Sequence, residues 1–248
     1  MKIKRSLLAL LAVSSIAFFG QRSYAAEPAE NPEPATAESS PAQAASKLFY
    51  KPPAHAGNLP TRVSGGARGE GGTDTSLTAL VPDHVALTTQ AQPSLFWFQS
   101  KPTKAKFEMT VVEPKKAKPV LSLTSPDADK AGIHRIKLAQ HNIELQPGVA
   151  YEWSVAIVPD PENRSKDVVA KGVIKRINAP SNLATLLEKA GDSERASVYA
   201  QAGIWYDALD AISNAIDAHP EDASLREQRA TLLTQVGLSQ AAAPDKKK

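Results

Sequence analysis

The chain has 248 residues, 42% hydrophobic and 22% charged, a size and balance that suit one or two soluble globular domains. It has no cysteine, which excludes a disulfide scaffold, a thiolate metal site and a cysteine nucleophile. The formal charge of +3 reflects 29 basic against 26 acidic residues; without Lys2, Lys4, Arg5 and Arg22 of an expected leader the balance is about −1, so a nucleic-acid footprint is unsupported.

The first segment reads as a secretory signal peptide over residues 1–25. Lys2, Lys4 and Arg5 precede an apolar run from Leu7 to Gly20, and Ser23 and Ala25 supply the small residues at the cut. Cleavage is expected between Ala25 and Ala26. The run of about fourteen residues is shorter than the ~20 that span a bilayer, so no transmembrane anchor should remain after cleavage. Localisation is expected to be periplasmic or secreted.

Residues 26–47 hold seven Ala, four Pro and four Glu and no large apolar side chain. Such a stretch buries too little to offset its ordering entropy and reads as a disordered tether. Residues 48–76 form a Pro/Gly-rich arm, in which Phe49 and Tyr50 are expected to anchor the chain along a sheet surface. Arg62 and Arg68 would then stand at fixed places as planar donor forks. Their acceptors belong either to the chain itself or to a partner.

From residue 77 to 177 the apolar period is two. Phe107, Met109 and Val111 alternate with polar residues, and Val149, Tyr151, Trp153, Val155 and Ile157 share a face. Leu95 to Phe98 is apolar on both faces and should lie centrally. Further strands are expected at 77–81, 120–123, 133–138 and 168–177, with turn signals between them. The pattern points to an antiparallel immunoglobulin-like β-sandwich, with Trp97 and Trp153 as core aromatics.

Over residues 181–238 the period becomes 3.6. Four apolar stripes end at Gly191, Gly203, Pro220 and Gly237, the glycines suiting left-handed C-terminal caps. Arg195-Ala196, Gln201 and Gly203 recur 34 residues later as Arg229-Ala230, Gln235 and Gly237. That period, with Ala196, Tyr199, Ala208, Ile212, Ala215 and Pro220 at fitting intervals, suggests a small C-terminal tetratricopeptide-like helical segment. Asp192, Arg195 and Ile212 depart from the usual pattern. One such unit cannot bury its face alone and should pack on the sandwich. Residues 239–248 are expected to be a disordered tail. The fold class is therefore mainly β plus α.

Several stretches carry a resemblance. They are Tyr50-Lys51-Pro52-Pro53, residues 60–69, 77–82, 93–98 and Tyr151-Glu152-Trp153-Ser154, then Asn163-Arg164-Ser165, residues 172–176 and 203–209. In this order they resemble a bacterial family designated domain of unknown function 928, over about residues 48–238. The resemblance implies an exported protein and supplies no chemistry. Many members carry cysteines near the glycine loop and the Arg-Ser loop; here those places read Gly72-Thr73 and Val158-Pro159.

No catalytic signature, metal-ligand spacing or cofactor motif emerges. Five histidines are scattered, and neither a Gly-x-Ser-x-Gly elbow nor a His-Glu-x-x-His pair occurs. Asp160, Glu162, Arg164, Ser165 and Asp167 cluster in one loop that is either ion-paired and solvated or a ligand site. Lys101, Lys104, Lys106, Lys115, Lys116 and Lys118 crowd one hairpin, as a charged edge or an anionic contact. Trp205 and Tyr206 are adjacent on a helix, about 100° apart, so both are buried only if two sides are covered. An exposed member would be a contact anchor. Two functions follow. The first is an exported, non-catalytic envelope protein that binds an envelope protein partner through Arg62, Arg68, Arg164, Trp205 or Tyr206. The alternative is a periplasmic ligand-, polysaccharide- or cation-binding module, or a weak hydrolase, using residues 160–167.

Overall fold

The computed structural model describes residues 48–54, 62–66, 74–114, 116, 118–125 and 129–245. The expected leader and tether, and Arg68, lie outside them. The described residues belong to one unit, Ala45–Lys248, and form two β-sheets and five α-helices.

Alternation in the sequence becomes alternation in burial. In β8 (Ala150–Val158), Tyr151, Trp153, Val155 and Ile157 are buried while Glu152 stands in solvent. This strand sits in a five-stranded sheet whose spatial order is β3 (Ala86–Thr88), β9 (Val168–Arg176), β8, β5 (Lys106–Val112) and β6 (Leu121–Ser125). All its pairings are antiparallel except β3 on β9. The second sheet is antiparallel, in the order β1 (Ser64–Gly66), β2 (Ser76–Ala79), β4 (Ser94–Gln99) and β7 (Gly132–Lys137).

Every residue of β4 is buried, because both its faces are covered. On one face Trp97 stacks on Phe107 of the other sheet, ring centroids 5.0 Å apart. On the other, Phe96 lies beneath Arg135, its cross-strand neighbour, whose guanidinium donates to Asn214 and Asp217. The chain also ties the two sheets together. Val63 bridges to Lys171 of β9, and the next residues enter β1 of the other sheet. At that crossing a Cβ on Gly65 would fall 2.3 Å from the Val169 carbonyl oxygen, so only glycine fits.

The helices are α1 (Leu183–Lys189), α2 (Asp192–Gln201), α3 (Trp205–Ala218), α4 (Ala223–Gln235) and α5 (Ser239–Ala242). Helices and sheets share one hydrophobic core that reaches from Leu48 to Ala242. Gly203 and Gly237 adopt the left-handed conformation after α2 and α4, both at φ +75°. Gly191 does not: at φ −67° it precedes α2 as its N-cap, and its N–H donates to Glu194. The expected disordered tail is also corrected as far as residue 245. Ala241 and Ala242 are buried, and Asp245 accepts two 2.7 Å hydrogen bonds from Arg229. Small side chains let this last turn seat closely, and the ion pair holds its end.

Among the described residues the lysines form no single patch; Lys115 lies outside them. Lys104 and Lys106 lie at the start of β5, whereas Lys116 and Lys118 follow its far end, about 20 Å away at strand rise. Lys101 pairs with Asp74, and Lys116 with Glu113.

Candidate functional site

The first turn of α3 is the joint between helices and sheets. Its apolar stripe faces inward, and three consecutive side chains reach four different strands or strand ends. Trp205 Nε1 donates to the Leu80 carbonyl at 2.8 Å, just past β2. Tyr206 donates to the Val173 carbonyl of β9 at 3.2 Å and accepts from Trp153 Nε1 of β8 at 2.7 Å. Asp207 accepts from the Thr88 hydroxyl at 2.5 Å, from the Thr89 amide at 3.0 Å and from the Thr89 hydroxyl. Burial raises the Tyr206 phenol pKa, keeping it protonated and able to donate. Trp205 and Tyr206 are 0% and 1% exposed, which corrects their reading as contacts for a partner. The helix is covered by the sheets, by α2 and α4, and at Trp205 by Tyr50 of the arm.

The first residues of the arm meet helices where the sequence suggested a sheet, whereas Val63 to Gly66 do run along the sheets. Leu48 and Tyr50 are buried and Phe49 is 60% exposed, so the anchors are residues 48 and 50 and Phe49 points outward. Gln235, at the end of α4, reads the main chain on both sides of Phe49. Its Nε2 donates to the Leu48 carbonyl at 2.9 Å, and its Oε1 accepts from the Tyr50 amide at 2.8 Å. The Lys51 amide donates to the Ala200 carbonyl of α2 at 3.0 Å. The Tyr50 ring meets Trp205 edge-on at 5.0 Å and stacks on His84, whose Nε2 lies 3.2 Å from the phenol oxygen. A Cβ on Gly203 would come within 2.9 Å of the Lys51 carbonyl oxygen, so the glycine that caps α2 also makes room for the arm.

Arg62 fastens the far end of the arm from within. Its guanidinium donates to the carbonyls of Val236 at 2.9 Å and Val81 at 3.1 Å, and pairs with Asp83 at 3.0 Å. Its acceptors are therefore the chain's own. Replacing it with alanine strands two carbonyls that a charged donor satisfies. Arg62→Ala should lower the unfolding free energy by about 2–3 kcal/mol, read as a lower urea midpoint at constant m. Arg62→Lys should recover only part of this, having no planar fork.

Arg164 is half exposed and engaged locally. It donates to both oxygens of Glu108, at 2.7 and 3.3 Å, and to Asp167 at 2.7 Å. Those bonds, Glu108 first and then Asp167, hold its pKa above the usual arginine value. Lys166 pairs with Asp160 at 3.4 Å. The loop thus carries an ion-pair network rather than a convergent, open donor set.

Beside α2 and α3 lies a cleft of about 420 Å³, lined among others by Asp192, Arg195, Tyr199, Asp207 and Asp210. No sequence motif marked it, because its residues come from two helices and a loop. Asp207 is already engaged with Thr88 and Thr89, and Asp210 lies 3.7 Å from Arg135. Burial, followed by the charge of Asp207, raises the Tyr199 phenol pKa, so it is not a base at neutral pH. The cleft offers polar surface without a nucleophile–base pair. Among the described residues no group of three or more His, Asp or Glu could hold a metal ion. His134 stacks on Trp97 at 5.4 Å with Nε2 near the Lys130 carbonyl, and burial lowers its pKa, favouring the neutral ring. No described helix is long and apolar enough to cross a membrane.

A family model described as Domain of Unknown Function (DUF928) matches residues 63–245. No curated protein matches. One solved structure, a multi-domain immunophilin from Arabidopsis thaliana, aligns at 7% identity over 70% of this chain and 92% of its own, with a TM-score of 0.17, too low to carry an argument about fold.

Proposed function

The chain belongs to the DUF928 family, and from the geometry of its own residues we propose that it is an exported, non-catalytic envelope protein that binds a protein partner. The observation that carries this reading is the way the helices hold a linear piece of chain: alternate side chains buried, main chain read by the Gln235 amide. Such an arrangement recognises polypeptide and performs no bond chemistry. In this proposal the two sheets form an immunoglobulin-like sandwich, and the helices a tetratricopeptide-like unit in which the 34-residue recurrence from Gln201 to Gln235 places an amide at the end of each of two helices. Of the residues first put forward, Arg164 remains a surface candidate, and Arg68 lies outside the described residues.

A second reading, a small-ligand module, is favoured by the cleft beside Asp192 and Asp210, whose volume falls within the usual range for ligand sites. The 160–167 loop supports it less, Asp160, Arg164, Lys166 and Asp167 being paired with one another or with Glu108.

Two measurements test the proposal. N-terminal sequencing of envelope or secreted material should begin at Ala26; an intact Met1 on soluble cytoplasmic protein would defeat export. The mature chain, used as bait in envelope extract, should retain a specific protein that identical beads without it do not. A bait that retains only small molecules would shift the assignment to the second reading.

A further inference from the structure

We propose that the surface formed by α2, α4 and the start of α3 is a peptide-recognition groove with a Leu-x-Tyr-x-x-Pro readout, occupied in cis by Leu48–Pro53 and able to take the same segment from a second copy of the chain. This deepens the interaction reading above and rests on it.

The contacts are those of a bound peptide. Residues 48 and 50 enter the groove and residue 49 leaves it, a period of two that any linear ligand can repeat. Three main-chain hydrogen bonds fix the register: Leu48 carbonyl and Tyr50 amide to Gln235, and Lys51 amide to Ala200. Specificity comes from the side chains. Tyr50 packs on Trp205 and meets His84 through its hydroxyl, a combination that phenylalanine cannot reproduce. Pro53 follows where the groove floor is Gly203, and a larger residue there would collide with the ligand main chain. Nothing in this set requires that residues 48–53 be covalently joined to Arg62. Seven residues separate Ala54 from Arg62, and a tether of that length holds a cis ligand at an effective concentration of order millimolar. A free segment therefore competes poorly while the tether is intact, and well once it is cut.

The test uses the full chain with a protease cleavage sequence inserted between Gly57 and Asn58, outside the described residues. After cleavage of the folded mature protein, the 26–57 fragment becomes a dissociable ligand. A fluorescein-labelled peptide of residues 47–54 should then bind by anisotropy and exchange with that fragment, while the uncut protein binds it at least ~100-fold more weakly. Tyr50→Ala in the peptide should weaken binding about tenfold or more. Phe49→Ala, altering a large side chain that points outward, should change it less than about twofold. Gln235→Glu in the protein, which removes the donor to Leu48, should weaken every peptide. Retention of the fragment with no peptide uptake would overturn the proposal, making the arm a fixed part of the core. Equal losses for Phe49→Ala and Tyr50→Ala would overturn it too, as would unfolding on cleavage. If partner capture from envelope extract persists under any of these outcomes, the interaction reading survives and only the groove assignment falls.

Discussion

Trp205→Ala should lower the unfolding free energy by about 3–5 kcal/mol, the range for removing a fully buried large aromatic. Trp205 has no exposed surface, and its loss strands the Leu80 carbonyl as well as opening a cavity against Tyr50. Trp205→Phe refills most of the cavity and isolates the hydrogen-bond component, for which about 1–3 kcal/mol is expected. Tyr206→Phe provides a parallel control. It leaves the Trp153 indole N–H without its acceptor and Val173 without that donor while sparing the ring. Because consecutive residues of α3 are bonded to different strands, helices and sheets should melt together. Urea curves followed by tryptophan fluorescence and by far-ultraviolet circular dichroism should superimpose for the native chain. Separate transitions, or a Trp205→Ala loss below about 1 kcal/mol, would mean that the joint does not couple the two halves.

The joint shows which features a sequence displays and which it hides. The strands at β4, β5, β8 and β9 have strong signatures because burial on one face or both imposes a period of two or an unbroken apolar run. The three-residue strands β1 and β3 have none. Ser64-Gly65-Gly66 is selected by close approach to Val169, and Ala86-Leu87-Thr88 by a parallel pairing with residues 174–176 far along the chain. Adjacent Trp205 and Tyr206 left open whether two sides of the helix are covered or one residue faces a partner; nothing local in the sequence says that both are buried. The phase of the arm was similarly hidden: Leu48, Phe49 and Tyr50 are all apolar enough to anchor, and only the placement of Gln235 makes Phe49 the outward one. At the other end, the short helix Ser239–Ala242 leaves no periodic trace because small side chains carry little hydrophobic signal, and the Arg229–Asp245 pair is sixteen residues apart. Asp207 is the best hidden of these residues. An acidic residue in the first turn of a helix is ordinary, since the helix dipole favours it there, and nothing in its position betrays that its oxygens are turned inward onto Thr88 and Thr89.

Asp207→Ala should therefore cost about 3 kcal/mol or more, because two hydroxyls and one amide lose their acceptor at a site with almost no solvent. Asp207→Asn separates charge from hydrogen bonding. Its carbonyl can face Thr89, and its amide can donate to the Thr88 hydroxyl, which rotates to accept. The informative readout is the pH dependence of the difference between the two proteins. Burial, the largest influence, raises the Asp207 pKa above 3.8; the hydrogen bonds from Thr88 and Thr89 oppose that rise, and the nearby charge of Asp210 adds to it. With the folded value above the unfolded one, the folded state binds more protons in the interval between them. The stabilising contribution is then complete below pH 3.8 and is lost as pH climbs through the folded pKa. Asparagine cannot ionise, so its stability relative to the native chain should improve from pH 3 to pH 7, whatever the sign of the difference at pH 3. Carboxylates common to both proteins, Asp210 among them, cancel in that subtraction to the extent that they do not couple to residue 207. Urea midpoints measured across this interval decide the matter. A difference that stays flat with pH would show that the threonine hydrogen bonds fully offset the burial of the charge, and a decline toward neutrality would show that they outweigh it.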